Sequence, residues 1–398
     1  MKEKSCIISI CENDTQEADV MGMSSIQVKK ANYQSILRYM LQHNVCSKAE
    51  IASELGLSIP TVAQGLKYLG EKGMITSIGT MDSAGGRKAV GYESVRDLKL
   101  SVGVEITANH VGVVIINLSL NMVYSKRVRM KIYDTDSSYD RFAQFLNDCI
   151  EESGVQKDRI MGVGISLPAI IDESGRRIFS MNEEMRISHD FYSIMKDRIP
   201  YPLVLCNDAN CAAQAEITAR NTTEDEIYFL VSQSVGGAII RHGIIDQGDT
   251  CRAGEFGHMT LHAEPDARRC YCGRIGCVNA YLSTSILAET AEGDLQHFFD
   301  ELPNNRDYHA VWEEYLENLS LAIHNLNMCF NRRVIIGGYL GQYIDPYLED
   351  VRKLVRYRDP ALTERDIQIE SSRQKNSASA IGAGSIHILS YVNGLIED

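Results

Sequence analysis

The spacing of hydrophobic positions between residues 24 and 95 predicts three short helices followed by two strands. Ser47 and Glu50 have the spacing of a capping box for the second helix, which Gly56 ends, and Ser58 caps the third helix, which runs to about Tyr68. The inward-facing residues of the first and third helices are Ile36, Leu37, Tyr39, Met40 and Leu41, then Val62, Leu66 and Leu69. Two helices joined by a short glycine-containing turn are typical of a helix-turn-helix.

The next segment, residues 73–94, places two β-like runs on either side of a glycine-rich tip, which predicts a wing. In a winged helix-turn-helix the third helix enters the major groove of DNA, so we expect its polar side chains to face bases or phosphates. Gln64 is the best candidate to read adenine, Lys67 suits a phosphate, and Arg87 at the tip suits a minor groove or the backbone. The predicted DNA-binding residues are Ser58, Thr61, Gln64, Lys67 and Arg87. A three-helix protein-interaction domain is the alternative.

From Leu98 onward, strand patterns alternate with helix patterns, which predicts an α/β body. Two or three adjacent strands come first, followed by a helix at about Tyr139 to Ser153 and a buried strand, IMGVGISLP. A strand then leads through Asn207 and Asp208 into another helix. Near the end, we expect a long amphipathic helix from Val311 to Phe330, the strand RVIIGGYL and a final helix, SASAIGAGSIHIL.

Composition narrows the class of protein. The chain has 398 residues, 44% of them hydrophobic, and a net charge of −13, yet residues 24–92 carry a net charge of +4. A weakly basic module therefore precedes an acidic body. With no apolar run of the roughly 18 residues that span a bilayer, and with eleven scattered cysteines, we expect a cytoplasmic protein with no membrane partner. We interpret residues 1–23 as a leader.

One segment, residues 254–277, concentrates metal-ligating side chains: His258, Cys270, Cys272 and Cys277. One imidazole and three thiolates fill the four positions of tetrahedral Zn²⁺, which predicts a structural zinc site. Gly273 and Gly276 allow the tight bends such a loop needs. His262 is a competing ligand, and a set of idle cysteines is the alternative.

The motifs ND, GG, GEFGH, CYCGRIGC and IIGG, in this order, resemble the ROK family of sugar kinases and sugar-responsive repressors. The resemblance covers nearly all of the chain after Leu98. It implies an actin-like (ribonuclease H-like) two-lobed sugar-kinase fold over residues 96–398, with lobe one at about 96–205 plus 376–398 and lobe two at about 206–375. With a winged helix-turn-helix domain at 24–95, the chain looks like the repressor branch.

The resemblance also implies a sugar site. Asn207 and Asp208 match the pair that holds sugar hydroxyls, and Asp208 matches the base of the kinases. Glu255 matches a sugar-contacting acid, and His258 matches the residue that gives one ring nitrogen to zinc and can offer the other to a sugar hydroxyl. The zinc would then preorganise the pocket without taking part in chemistry.

Four departures from the family pattern change the expected function. The first phosphate loop, glycine-rich in the kinases, reads Glu105, Ile106, Thr107, Ala108, Asn109, and the second reads Ser232, Gln233, Ser234, Val235, Gly236, Gly237. Phosphates need the close backbone approach that glycine permits, so we expect ATP binding and kinase activity to be lost and Asp208 to be a vestigial base. Asn279 stands where the family usually has a glutamate, and Ala169 follows Pro168 where a glycine is common. These two changes leave the identity of the sugar undetermined.

The sequence therefore predicts a sugar-responsive DNA-binding regulator, in the form of a repressor of carbohydrate-utilisation genes. Its partners would be double-stranded operator DNA, a carbohydrate effector, and further copies of itself in a dimer or tetramer. The alternatives are an active sugar kinase with an added DNA-binding domain, a regulator of a non-sugar ligand, and a zinc or redox sensor that uses Cys270, Cys272 and Cys277.

Overall fold

The computed structural model describes residues 25–81, 89–181, 184–375 and 377–394. Its first part contains three helices and a small antiparallel sheet of order β1–β3–β2. The elements are α1 (Ser25–Gln42), β1 (Cys46–Ser47), α2 (Lys48–Glu54), α3 (Ile59–Glu71), β2 (Ile75–Met81) and β3 (Ala89–Ser94). This element order is that of a winged helix. The tip between β2 and β3, including Arg87, lies outside the described residues.

Local interactions explain where these helices begin. Ser47 and Glu50 form the predicted capping box, and the side chain of Ser58 accepts a hydrogen bond from the backbone of Thr61. Helix α3 continues past the predicted end at Tyr68, because the chain turns only at Gly73, where φ is +71°. Gly65 lets α1 and α3 approach closely, since an added Cβ there would lie 2.5 Å from Cδ1 of Ile36.

A five-stranded sheet of order β10–β7–β4–β5–β6 begins the body. Strands β10, β7 and β4 are parallel, whereas β4, β5 and β6 form an antiparallel meander. The elements of this region are β4 (Leu100–Ile106), β5 (His110–Asn117), β6 (Met122–Arg129), α4 (Asp136–Glu152), β7 (Ile160–Leu167), β8 (Ala169–Ile171), β9 (Ile178–Met181), α5 (Phe191–Lys196) and β10 (Leu203–Asn207). Helix α4 begins before the predicted Tyr139 because Thr135 caps it.

A second five-stranded sheet, of order β13–β12–β11–β14–β15, forms the rest of the body with its helices. The elements are α6 (Asp208–Arg220), β11 (Glu226–Val231), β12 (Val235–Arg241), β13 (Ile244–Asp246), α7 (Asn279–Leu282), α8 (Ser285–Thr290), α9 (Leu295–Glu301), α10 (Arg306–Phe330), β14 (Arg333–Gly337), α11 (Leu348–Arg358), β15 (Ile369–Ser371) and α12 (Ala378–Gly394). Helix α10 begins before the predicted Val311, since the Asn305 side chain accepts hydrogen bonds from the backbone of Asp307 and Tyr308.

The last helix, α12, packs between the first sheet and α6. Glycines make this close contact possible: an added Cβ at Gly103 would lie 1.8 Å from the carbonyl oxygen of Ala380, and one at Gly382 would lie 1.7 Å from that of Cys211. Because α6 begins at Asp208 and Cys211 lies in its first turn, this packing fixes the start of α6 on α12.

The helical head contacts the same helix α12. Gln34 and Arg38 of α1 donate hydrogen bonds to Asn393, at 3.1 and 2.9 Å. The apolar core of the head also continues into the body, where it includes Ile116 and Ile388. Along the described part of the chain, every helix is too short or too polar to cross a membrane.

Candidate metal cluster and ligand cleft

The four predicted metal ligands lie together in the structure. His258 ends a short 3₁₀ turn, Phe256–His258, and the three cysteines lie in the loop before α7. Their ligand atoms, one from each of His258, Cys270, Cys272 and Cys277, all lie within 4.8 Å of one another. His262, the competing candidate, instead places Nε2 2.7 Å from Oδ1 of Asn318.

The spacing of these atoms fits a tetrahedral metal. The Sγ atoms of Cys272 and Cys277 are 3.7 Å apart, and Nδ1 of His258 is 3.9 Å from Sγ of Cys270. A tetrahedron with metal–sulfur bonds of about 2.3 Å has edges of about 3.8 Å. Gly276, with φ of +73°, permits the loop, because a Cβ there would lie 1.6 Å from the carbonyl oxygen of His262. The residues therefore form a cluster that could hold a metal ion.

The thiols of this cluster differ in their affinity for protons. Burial raises the pKa of Cys270 to about 12. Burial also acts to raise the pKa of Cys272, but hydrogen bonds from Arg274 and from the neighbouring thiols outweigh it and lower that pKa to about 7. Thiolates are the metal-binding form, so metal binding at this cluster requires the release of protons.

Two carboxylates line a cleft, Glu105 at the end of β4 and Asp208 at the start of α6, and a third, Glu255, lies close enough for its charge to act on Asp208. Burial raises the pKa of Asp208 to about 7; its own hydrogen bond from the backbone of Ala209 acts against this, and the charges of Glu105 and Glu255 add to it. Burial likewise raises the pKa of Glu105 and of Glu255. The cleft can therefore both accept and donate hydrogen bonds near neutral pH, which suits a ligand rich in hydroxyl groups.

Asn207 and Asp208 owe their position to the junction between β10 and α6. The Asn207 side chain caps α6 by accepting a hydrogen bond from the backbone of Asn210, and its amide donates to the carbonyl oxygen of Ala169 at 3.1 Å. Both polar ends of Asn207 are thus bonded within the protein. Asp208, one residue later, lines the cleft.

Glu255 and His258 lie on one turn of the chain, since the backbone N–H of His258 donates to the carbonyl oxygen of Glu255. This turn packs directly on β12: a Cβ at Gly257 would lie 1.9 Å from the carbonyl oxygen of Val235. The backbone N–H of Val235 also donates to Oδ1 of Asn279 at 2.8 Å, and Asn279 is buried. The structure thus gives Asn279 a supporting contact that sequence reasoning missed, and its contact with a ligand stays a prediction.

The cavity of this cleft has a volume of about 200 Å³; Glu105 and Asp208 line it, whereas Glu255 and His258 lie outside its lining. Its lining includes Thr107, Arg127, Ser232, Ser234, Tyr339 and Lys375. Arg127 of β6 reaches across the cleft and donates a hydrogen bond to the hydroxyl of Tyr339, which follows β14, and its guanidinium lies 5.3 Å from the centre of the tyrosine ring. This contact between the two sheets was missed from sequence. The position of Tyr339 directly after the Gly337–Gly338 turn was the available signal.

On the head, the predicted DNA-contacting residues that the structure describes lie along α3. Ser58, Gln64 and Lys67 are exposed and Thr61 is half-buried. The hydroxyl of Ser58 is engaged with Thr61, and Lys67 lies 3.9 Å from Glu71 in an exposed ion pair. Ile59, at the first turn of α3, is 49% exposed, which sequence reasoning did not single out.

The fold and the site together define a class of protein: an α/β body with a ligand cleft and a cluster that could hold a metal, preceded by a winged-helix head. The model of the ROK family matches residues 101–388. The chain therefore belongs to the ROK family, and the predicted actin-like sugar-kinase fold is confirmed.

Both branches of the family include relatives of this chain. It is 25% identical over 383 residues to a xylose repressor of Caldicellulosiruptor bescii, covering 89% of this chain and 94% of that one. It is 24% identical over 309 residues to an N-acetyl-D-glucosamine kinase of Salmonella newport, covering 72% and 98%. A solved ROK family transcriptional regulator, a homologue of the E. coli MLC protein, has a TM-score of 0.71 at 18% identity, covering 93% of this chain and 100% of that one. The alignment with the Caldicellulosiruptor bescii repressor therefore includes a larger share of this chain than the alignment with the kinase does.

Proposed function

We propose that this protein is a cytoplasmic, sugar-responsive repressor that binds operator DNA as a dimer or tetramer. The observation that carries the proposal is the direct packing of the winged-helix head on α12, which in turn packs against α6, the helix that begins with Asp208. A ligand at Asp208 would therefore act on a helix only one layer away from the DNA-binding head. Such a ligand changes DNA affinity only if it binds one arrangement of these helices better than another.

The effector site would be the metal-cluster half of the cleft. Asp208, Glu255 and their neighbours offer oxygen acceptors for the hydroxyl groups of a sugar. His258, Cys270, Cys272 and Cys277 would hold a structural zinc ion, whose coordination would fix the turn that carries Glu255. In this proposal the zinc ion makes the turn with Glu255 rigid. Asp208 binds the sugar and does not act as a base for phosphoryl transfer.

Loss of kinase activity is also part of the proposal. The turn after β4 contains Thr107 and Ala108, and the Thr107 hydroxyl accepts a hydrogen bond from the backbone N–H of His110 at 3.1 Å. Nucleotide phosphates bind most readily to open backbone N–H groups in glycine-rich loops. Tyr339 and Arg127 further narrow the same half of the cleft.

The first test is a thermal-shift screen of the zinc-loaded protein against monosaccharides and their phosphates, with and without Mg-ATP. A sugar present at 100 times its Kd stabilises the protein by roughly 2.7 kcal/mol. We expect stabilisation by a sugar that does not depend on ATP. Stabilisation only in the presence of ATP, together with ADP release that Asp208→Asn abolishes, would instead identify a kinase.

The second test addresses DNA. An operator selected from genomic fragments is titrated by fluorescence anisotropy with and without the stabilising sugar, using Gln64→Ala, Lys67→Ala and the distant surface control Lys353→Ala. We expect Gln64→Ala to relax preference at one base pair at a cost of about 1–3 kcal/mol, and Lys67→Ala to weaken binding to all sequences alike. Operator affinity that does not change at saturating sugar would refute the sensor.

A further inference from the structure

Tyr271 lies within the loop that forms the metal cluster. It stands between Cys270 and Cys272, two of the four residues whose ligand atoms meet at the cluster. Gly273 follows at φ of +83°, a conformation that lets the chain turn back toward the cluster. A metal bound here would therefore fix the backbone before and after Tyr271.

The side chain of Tyr271 lies against the imidazole of His258. Its hydroxyl oxygen is 3.2 Å from Nε2 of His258, and the two rings meet edge to face with their centres 5.3 Å apart. The other ring nitrogen, Nδ1, faces Sγ of Cys270 at 3.9 Å. Nδ1 is thus the nitrogen on the cluster, and Nε2 is the other ring nitrogen, which the family resemblance implies can meet a sugar hydroxyl.

The direction of this hydrogen bond follows from the chemistry of a ligating histidine. When Nδ1 binds a metal, Nε2 carries the ring proton and can only donate. The hydroxyl oxygen of Tyr271 is then the acceptor, which leaves the hydroxyl proton for another oxygen. A tyrosine hydroxyl keeps its proton at neutral pH. The hydroxyl of Tyr271 also lies beside the turn that carries Glu255, because it is 3.2 Å from Nε2 of His258 and the backbone of His258 is hydrogen-bonded to Glu255.

We propose that Tyr271 links the metal cluster to ligand recognition: its hydroxyl accepts a hydrogen bond from Nε2 of His258 and donates one to a hydroxyl oxygen of the carbohydrate effector. This inference rests on the proposed function for its second half only. It assigns to Tyr271 the sugar contact that the family resemblance implies for His258. Tyr271 is then a positioning residue for the metal ligand and a specificity-determining residue for the effector.

The experiment compares Tyr271→Phe with a matched control, Tyr343→Phe, in the full-length protein. Tyr343→Phe also removes one hydroxyl hydrogen bond, which Tyr343 donates to Gln296 at 2.9 Å. This bond lies on the exposed surface between α9 and the segment after β14. The first readout is the rate at which a coloured chelator removes zinc, together with the absorption spectrum of the cobalt-substituted protein. The second is calorimetric titration with whichever of D-xylose, D-glucose and N-acetyl-D-glucosamine stabilises the wild type most.

We expect Tyr271→Phe to release zinc roughly 10-fold faster, because partners of ligating histidines typically change metal affinity by about 10- to 100-fold. We expect its sugar affinity to fall about 5- to 10-fold, the size of one lost hydrogen bond, and Tyr343→Phe to match the wild type in both readouts. Tyr271→Gln keeps a hydrogen-bond acceptor and a donor, so its zinc release rate and sugar affinity should lie between those of Tyr271→Phe and the wild type. It replaces Tyr271→Phe in both measurements if the phenylalanine variant does not fold.

Each result decides one part of the proposal. Zinc release at the wild-type rate in both Tyr271 variants would remove the link to His258. Sugar binding that is unchanged or tighter in Tyr271→Phe would show that the tyrosine competes with the effector or does not meet it, and would overturn the recognition role. If no sugar in the panel binds the wild type, the proposed function fails, while the zinc-release comparison still tests the contact with His258.

Discussion

The two halves of the cleft contrast sharply, although they share Asp208. One half borders a cluster of four metal-ligating side chains and has its acidic residues held by short turns and helix caps. The other half, where a nucleotide phosphate would need open backbone, is lined by Thr107, Tyr339 and Arg127, two of which bond to each other across the cleft. Under the proposed function, ligand recognition and phosphoryl transfer would therefore be separable, because they would depend on different walls of the same cleft.

The contrast also bears on the raised pKa of Asp208. In a kinase a carboxylate with a raised pKa would serve as a base, since its ordinary pKa is too low to take a proton at neutral pH. In this cleft, burial and the neighbouring carboxylates raise the pKa of Asp208 whether or not a phosphoryl donor can bind. A raised pKa at this position is therefore a property of the pocket, and it does not by itself indicate catalysis.

The largest effect should come from breaking the metal-cluster half. Cys277 is buried, so Cys277→Ser should abolish metal binding and lower the melting temperature by about 10 °C or more, because metal binding and folding of such a site are coupled. Metal content and thermal denaturation measure this. Cys329→Ser, an exposed cysteine outside the cluster, is the control and should leave both unchanged. Full metal content in Cys277→Ser would refute the assigned ligand set.

The next effect should distinguish the two walls by ligand affinity. Asp208→Asn should weaken binding of the stabilising sugar by about 10-fold or more, since it replaces a carboxylate acceptor with a neutral amide. Ser234→Ala, on the phosphate wall, should leave sugar affinity unchanged. Calorimetric titration of both variants makes the comparison. Equal losses in both would mean that the effector spans the whole cleft.

A smaller effect should appear in the pH dependence of stability. The pKa of Asp208 is raised from 3.8 to about 7 in the folded protein, so between these values the native state binds more protons than the unfolded state. The contribution of Asp208 to the free energy of unfolding therefore falls as pH rises through this window. Measured without sugar, the melting temperature of Asp208→Asn relative to the wild type should therefore rise as pH increases from about 4 to about 7. If the difference in melting temperature between the variant and the wild type did not depend on pH, the pKa of Asp208 would not be raised in the folded protein.

The smallest effect should follow from cutting the contact across the phosphate wall. Tyr339→Phe removes the hydroxyl that Arg127 contacts and should reduce stability by about 0.5–1.5 kcal/mol, the usual net value of one hydrogen bond. Denaturant unfolding measures this, and sugar affinity should stay at the wild-type value. Sugar affinity that changes several-fold would mean that the contact controls closure of the recognition half as well.

Features that depend on a few neighbouring residues could be predicted from the sequence. The capping box of Ser47 and Glu50 is local, because a cap satisfies backbone groups only three residues away. The metal cluster was predictable for a related reason: its three cysteines span eight residues, and glycines supply the turns. Helices α4 and α10 begin earlier than predicted, because Thr135 and Asn305 cap them several residues before the apolar pattern starts.

Contacts between distant segments were decided only by the tertiary structure. Arg127 and Tyr339 are 212 residues apart, and only the packing of two sheets around a cleft brings them together. The choice of His258 over His262 likewise depends on the turn that packs on β12, which directs one imidazole to the cysteines while the other meets Asn318. The sequence by itself determined which chemical groups the protein has and how each short segment folds. Which groups meet was set by the packing of the two sheets and the long helices, because such contacts join segments that no local pattern relates.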